Sequence, residues 1–166
     1  MTASVPLVDY LVLDDEPHLR AHECVNCGAR FFDRRNGCAS CFGTEFRDAS
    51  VATDGEVRAF TIVAYAAPGI ATPFVAAVVD CDGTSVRANL INVEPDPGHV
   101  ELGMKVRLAT YVVGTDTTGA EAIGFGFEPA TSICKHRRVF ERGGDQYIAS
   151  LLHRREEKTL RSHRHA

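Results

Sequence analysis

The sequence predicts a mainly β protein that begins with a small cysteine-rich module and ends in a basic extension. Two C-x2-C pairs lie close together, Cys24 with Cys27 and Cys38 with Cys41. From Phe46 onward, short runs rich in β-branched and aromatic residues alternate with turn residues, which is the pattern of a small sandwich or barrel. Apolar residues make up 45% of the 166 residues, enough for one core of roughly 100–150 residues.

The two cysteine pairs have the spacing of a tetrahedral zinc site. Ten residues separate them, and this length forms a short hairpin that brings four thiolates to one point. Gly28 follows the first pair and Gly43 follows the second, where we expect positive φ and close approach of the backbone to sulfur. Four cysteine ligands leave no open position, so we predict a structural zinc ion rather than a catalytic one.

Disulfide bonds and redox-active cysteine pairs are the alternatives to a zinc site. The stretch Met1 to Glu16 has four acidic residues and no basic segment, so we expect no secretory signal, a cytoplasmic location and therefore few disulfides. A redox-active pair would stand alone before a helix in a βαβ unit, a pattern that we do not find. His18 and His22 precede the first pair, and we interpret them as surface or partner-facing residues, although either is able to replace a cysteine ligand.

Five runs after the ribbon have the composition of strands. A pair of turn residues, Asp54 and Gly55, precedes the first run, and Asp82 and Gly83 form a predicted hairpin turn between the second and third. The stretch 93–102 contains Pro95, and we predict that it is a loop. Helices are predicted only at 10–19 and 147–160. The strands are predicted at Glu56–Tyr65, Phe74–Asp80, Ser85–Ile91, Lys105–Val113 and Glu121–Phe127.

Charge divides the chain into an acidic body and a basic tail. Residues 1–134 have a balance of −9, whereas residues 135–166 have a balance of +5 and hold four of the seven histidines. Such a tail is either an interaction segment or a solvated terminus. An acidic body with few aromatic residues argues against nucleic-acid binding, and no apolar run is long enough for a membrane span.

The order of these motifs resembles a family of zinc-ribbon/OB-fold proteins that accompany acyl-CoA enzymes. The resemblance covers about residues 18–130. The sequence departs from the family pattern at Asp33 and Arg34, where prolines are common, and in the basic tail. The matching stretches are 24–28 (CVNCG), 31–35 (FFDRR), 38–41 (CASC), 44–46 (TEF), 55–57 (GEV), 60–63 (FTIV), 73–80 (PFVAAVVD), 102–106 (LGMKV) and 127–129 (FEP).

The resemblance implies an N-terminal helical or extended segment at 1–19, a rubredoxin-like zinc ribbon at 20–46, an OB-fold barrel at 47–130 and an extension at 131–166. It also implies a role as the small subunit of a thiolase-fold enzyme, an aldolase, acyltransferase or synthase, in which the partner performs the chemistry. The small subunit then bridges subunits or shapes the acyl-CoA channel. We therefore expect a thiolase-fold partner and contact with acyl-CoA.

Two sets of residues are candidates for contact with acyl-CoA or the partner. The apolar loop 66–73 offers Pro68 and Ile70, with Phe74 at its end. The tail offers guanidinium groups that can hold phosphate or carboxylate through two hydrogen bonds. These are Arg137, Arg138, Arg154 and Arg155, beside an apolar stripe of Tyr147, Ile148, Leu151 and Leu152.

No residue is predicted to be catalytic. Acidic neighbours are expected to raise the pKa of the Cys81 thiol, and Cys134 does not face His136 or Lys135 in a geometry that would activate it. The favoured function is a non-catalytic accessory subunit of an acyl-CoA enzyme. The alternatives are a stand-alone acyl-CoA or acyl-transfer enzyme and an OB protein that binds single-stranded nucleic acid.

Overall fold

The computed structural model describes residues 4–130, and every regular element in that range is a β-strand. Ten strands form one six-stranded and one four-stranded sheet. They are β1 (Ser4–Pro6), β2 (Leu11–Val12), β3 (His18–Cys24), β4 (Arg30–Phe31), β5 (Phe46–Val51), β6 (Asp54–Val63), β7 (Phe74–Cys81), β8 (Thr84–Leu90), β9 (Lys105–Thr115) and β10 (Glu121–Pro129).

The larger sheet closes into a five-stranded barrel. Strands β9, β6, β7 and β8 pair in that order as antiparallel neighbours, and β10 completes the ring by pairing with β9 and with β8. The β8–β10 contact is parallel, with Leu90 opposite Phe127. The structure thus confirms the predicted small barrel, with β1 added in parallel to β10 at the rim.

The barrel core comes from the inward face of each strand. In β7, Val75, Ala77, Val79 and Cys81 point inward and are buried, while the residues between them are partly exposed. Phe127 of β10 is fully buried among these valines. Burial of side chains of this size stabilises the barrel by roughly 1.5–3 kcal/mol each.

The cysteine-rich module is built on the smaller sheet, with β3 at its centre. Strand β3 pairs with β5 from Leu19, opposite Val51, to Cys24, opposite Phe46. Strands β2 and β4 also pair with β3. Aromatic contacts join this part to the barrel, because Tyr10 packs 4.8 Å from the ring of Phe32 and 6.0 Å from the ring of Phe125, centre to centre.

The predicted helix at 10–19 is wrong. This stretch contains β2, a turn and the start of β3. Pro17 removes a backbone donor there, and Leu19 and Ala21 face the core while the residues between them point outward, which is a strand pattern. The helix predicted at 147–160 lies outside the described residues.

Gly55 is also not a turn residue, because it lies inside β6. Its role is close packing: a Cβ atom at this position would lie 2.5 Å from Val79 Cγ1 and 2.8 Å from the carbonyl oxygen of Asp80. The turn before β6 is instead at 52–53. The predicted Asp82–Gly83 hairpin turn is confirmed, with φ of 50° and 79°.

Residues 4–130 contain no helix long and apolar enough to cross a membrane.

Acid is expected to weaken this hairpin through Asp80. The Gly83 N–H donates to Asp80 Oδ1 at 2.7 Å and Arg58 donates to Oδ2 at 3.1 Å, and both hold the pKa of Asp80 below its usual 3.8. A lowered folded-state pKa gives stability that is present above pH 3.8 and is lost as the pH falls through the folded-state pKa. Thermal melts from pH 7 to pH 2.5 should therefore show a smaller acid loss for Asp80→Asn than for the wild type. If the melting temperatures of the wild type and Asp80→Asn fell equally with pH, Asp80 would not be the group that acid weakens.

Candidate metal centre

Four thiols converge where the two C-x2-C turns meet. The Sγ atoms of Cys24, Cys27, Cys38 and Cys41 all lie within 4.8 Å of one another, and no disulfide joins them. Cys24 and Cys41 are separated by 3.6 Å and Cys27 and Cys38 by 3.5 Å, sulfur to sulfur. Tetrahedral zinc with Zn–S bonds of about 2.3 Å requires sulfur atoms about 3.8 Å apart. The donor set therefore fits a tetrahedral metal ion.

The two cysteine turns share one backbone design. The Gly28 N–H donates to the Cys24 carbonyl at 2.8 Å, and the Phe42 N–H donates to the Cys38 carbonyl at 2.9 Å. In each turn the donor residue has a left-handed backbone, with φ of 73° at Gly28 and 63° at Phe42. The positive φ expected after the second pair thus falls on Phe42 rather than on Gly43.

Gly43 has the second property that the sequence suggested, close approach to sulfur. A Cβ atom on Gly43 would lie 3.4 Å from Cys41 Sγ and 3.5 Å from Cys24 Sγ. Hydrogen bonds from the Asn26 side chain and the Gly43 N–H lower the pKa of the Cys41 thiol to about 6. Hydrogen bonds of this kind stabilise the thiolate, which is the form that binds metal.

The first cysteine turn is anchored to the barrel by a buried carboxylate. Glu23 is 7% exposed and accepts hydrogen bonds from Arg30 Nε at 2.8 Å and Arg47 Nε at 3.0 Å. The hydrogen bonds from Arg47 and Arg30 hold the pKa of Glu23 below its usual range, and the bond from Arg47 has the larger effect. Arg30 also donates to Thr84 Oγ1 of β8 at 3.5 Å. Sequence reasoning missed this cluster, because Thr84 lies 54 residues from Arg30 and no local pattern joins them.

The two histidines before the first cysteine turn make other contacts. His22 lies with Nδ1 3.2 Å from Asp48 Oδ1, and His18 Nδ1 lies 3.1 Å from the Glu16 carbonyl oxygen. Within the described residues, the four cysteines converge without either histidine. The Nδ1 atom of His99 lies 2.6 Å from Asp96 Oδ2 on an exposed turn.

Cys81 is buried in the barrel, away from the cysteine cluster. It is fully shielded from solvent, and burial together with Asp80 and Asp54 raises the pKa of its thiol to about 11. The raised pKa expected from the sequence is thus confirmed, and its largest cause is burial rather than the acidic neighbours. Cys134 lies outside the described residues.

Cys81 is therefore expected to resist alkylation in the native protein. Iodoacetamide at pH 8, followed by mass spectrometry of the Cys81 peptide, should label less than about one tenth of it natively and all of it after denaturation. Cys81→Ala is the matched variant, because serine would bury an unpaired hydroxyl. Rapid native labelling would show an accessible, reactive thiol.

The apolar loop predicted as a contact site joins β6 to β7. Pro68 is exposed, Ile70 is 56% exposed and Phe74 is partly buried at the start of β7. Tyr65, which sequence reasoning did not single out, stands before this loop with 93% of its surface exposed. The loop therefore presents uncharged apolar side chains to solvent. The four candidate arginines of the tail lie outside the described residues.

A four-cysteine ribbon joined to a five-stranded barrel defines a class of protein, and comparisons with known proteins agree with it. Residues 14–47 match the family model described as ChsH2, rubredoxin-like zinc ribbon domain, and residues 49–111 match that of the ChsH2, C-terminal OB-fold domain. Together these matches span more than half of the chain and follow the family's domain order. The chain belongs to this ChsH2 zinc-ribbon/OB-fold family.

Two relatives illustrate the similarity. The chain is 31% identical over 64 residues to the benzoylsuccinyl-CoA thiolase subunit BbsA of Geobacter metallireducens, a match that covers 39% of this chain and 43% of BbsA. The chain thus spans less than half the length of that relative. Among solved structures, an Ltp2-ChsH2(DUF35) aldolase chain is similar in fold, with a TM-score of 0.54 and 24% identity over 68% of this chain and 85% of that one.

Proposed function

We propose that this chain is a non-catalytic accessory subunit of a thiolase-fold acyl-CoA enzyme. The observation that carries the proposal is the ribbon-plus-barrel architecture of the ChsH2 family, together with similarity over 64 residues to a protein named as a thiolase subunit and similarity in fold to a structure named as an Ltp2-ChsH2(DUF35) aldolase. The thiols support a structural role, because four of them converge at one candidate metal site and Cys81 is buried with a raised pKa. In this proposal the partner holds the reacting groups.

We also propose that Cys24, Cys27, Cys38 and Cys41 bind one zinc ion. Support comes from the convergence of four thiols and from the zinc-ribbon family match. A zinc ion with four protein ligands has no open position for substrate, so its contribution is to fold the ribbon. Free thiols of this kind persist in a reducing compartment, which is why we propose a cytoplasmic location.

The surface that meets acyl-CoA or the partner is proposed to include the loop between β6 and β7. Its exposed Pro68 and Ile70, with Phe74 beside them, offer apolar contact area without a charge to desolvate. The tail arginines, Arg137, Arg138, Arg154 and Arg155, are proposed to orient a docking segment on an acidic surface or on the CoA phosphates. A chain ending at Thr131 should then keep its zinc and bind the partner more weakly at low salt.

Co-expression tests the main proposal. The chain and the thiolase-fold protein encoded nearest to it are co-purified, and the mass of the complex is measured by light scattering. We expect a defined complex that acts on an acyl-CoA substrate, and no turnover by the isolated chain. Turnover by the isolated chain would favour the stand-alone enzyme, and a steep salt-dependent affinity for single-stranded DNA would favour the nucleic-acid protein. Either result without a complex would refute the accessory role.

A further inference from the structure

Phe42 is exposed to an unusual degree for a large apolar residue. It follows the second cysteine turn directly, and 85% of its surface is accessible to solvent. The described aromatic contacts join Tyr10, Phe32 and Phe125, or Phe31 with Phe46, and Phe42 takes part in none of them. The ring therefore contributes little to the packing of residues 4–130.

The backbone at Phe42 is also unfavourable for phenylalanine. Its φ of 63° lies in the left-handed region, where the Cβ atom of an L-residue is crowded and glycine is preferred. The first cysteine turn provides an internal comparison, because Gly28 holds the same position, makes the same hydrogen bond and has nearly the same φ. The fold thus needs a left-handed residue here, and glycine meets that need without strain.

Phe42 therefore combines backbone strain with an exposed ring, and neither helps to hold the domain together. Strain of this kind persists where the surrounding structure imposes it, and it clusters at functional sites. Exposed aromatic side chains are frequent anchors of protein interfaces, because they bury a large rigid area at low entropic cost.

The charge of the surrounding ribbon indicates what kind of surface would receive the ring. The side chains of residues 22–47 have a formal charge balance of +1, which becomes −1 when four thiolates hold a Zn2+ ion, whereas the remainder of residues 1–134 has a balance of −10. Glu23 is buried against Arg30 and Arg47, while Arg34 and Arg35 are exposed. The ribbon is thus nearly neutral within an acidic body, and an apolar pocket of a partner can receive the ring with little charge to desolvate.

We propose that Phe42 is an anchor residue of the interface with the thiolase-fold partner, and that it inserts into an apolar pocket of that partner. This inference rests on the proposed accessory function and assigns it a contact residue. The second cysteine turn holds the backbone that carries the ring, because the Phe42 N–H donates to the Cys38 carbonyl and the proposed ligands Cys38 and Cys41 lie on its N-terminal side. The anchor is then preorganised, so that little freedom is lost on binding.

Two variants test the anchor, with binding to the co-purified thiolase-fold protein measured by calorimetry. Phe42→Gly removes the ring and the strain, and Phe42→Asn removes the ring but tolerates the left-handed backbone. Both should retain about one zinc per chain and melt at or above the wild-type temperature. Both should also weaken binding about 30-fold or more, the loss typical of an interface hot spot. Phe42→Tyr, which keeps the ring, should bind within about threefold of the wild type.

Leu102→Ser is the matched control, because Leu102 is a large apolar residue, 66% exposed, in the loop before β9. It should bind the partner as the wild type does. If the wild type binds and both Phe42 variants bind equally well, the anchor is refuted while the accessory function stands. If the wild type itself forms no complex, the accessory function and the anchor are both refuted.

Discussion

Replacing Cys38 with serine is expected to abolish metal binding and unfold the ribbon. Cys38 is buried, and its thiol is held within the cysteine cluster by the geometry of the second turn. Serine is a poor ligand for zinc, and three thiolates cannot complete a closed tetrahedral site. Structural zinc supplies roughly 10–16 kcal/mol of apparent folding free energy in small zinc modules. Losing the zinc ion is therefore expected to cost more folding free energy than any single packing change in this chain.

Metal analysis and NMR measure the two parts of this result. The wild type should contain about one zinc per chain and Cys38→Ser less than about a tenth of that. Amide signals of the ribbon should collapse, while those of β7 and β8 shift less. Cys81→Ala is the control, since it removes a buried thiol that is not in the cluster and should leave zinc content unchanged. A zinc-free wild type with a folded ribbon would contradict the assignment.

The cysteine cluster was predictable because its information is local. A C-x2-C turn fixes two thiols within four residues, and a short intervening segment lets both turns meet. The barrel strands were predictable for a similar reason, since alternation of Val86, Ala88 and Leu90 with polar residues records which face of β8 is turned inward. Both features depend on the spacing of residues rather than on contacts between distant parts of the chain.

What the sequence did not show depends on long-range contacts. Tyr10 and Leu19 suggested a helix, but pairing with β3 and β5 and packing against Phe32 and Phe125 decided for strands. The carboxylate of Glu23 gave no signal, because its role requires Arg47 from another strand. Tertiary contacts of this kind override local propensity and have no fixed spacing along the chain.

Phe42 was missed for a different reason. Sequence reasoning expected the glycine after the second cysteine pair to take the positive φ, and the nearest glycine was Gly43. In the structure the left-handed conformation falls one residue earlier, on Phe42. Gly43 lies beside the cysteine cluster, where an added Cβ atom would be in ordinary van der Waals contact with Cys41 and Cys24 Sγ. The position of the nearest glycine therefore did not locate the left-handed residue.

Gly55→Ala is expected to destabilise the barrel by about 2–3 kcal/mol, near the upper end of typical overpacking costs. The new Cβ atom would lie 2.5 Å from Val79 Cγ1 and 2.8 Å from the Asp80 carbonyl oxygen. Val79 is fully buried, and the carbonyl belongs to β7, which pairs with β6 at this point. Relief therefore requires a shift of one strand against the other. Urea unfolding followed by circular dichroism measures the change.

Gly114→Ala provides the comparison that separates crowding from the general effect of replacing a strand glycine. Gly114 also lies inside a strand, β9, but a Cβ atom there meets nothing within 4 Å. Alanine at this position should be neutral or should stabilise by up to about 1 kcal/mol, because it restricts the unfolded chain more than glycine does. A difference of at least about 2 kcal/mol between the two variants is the expected result. Equal stabilities would mean that Gly55 is not packed against β7 and that the barrel closes differently at β6.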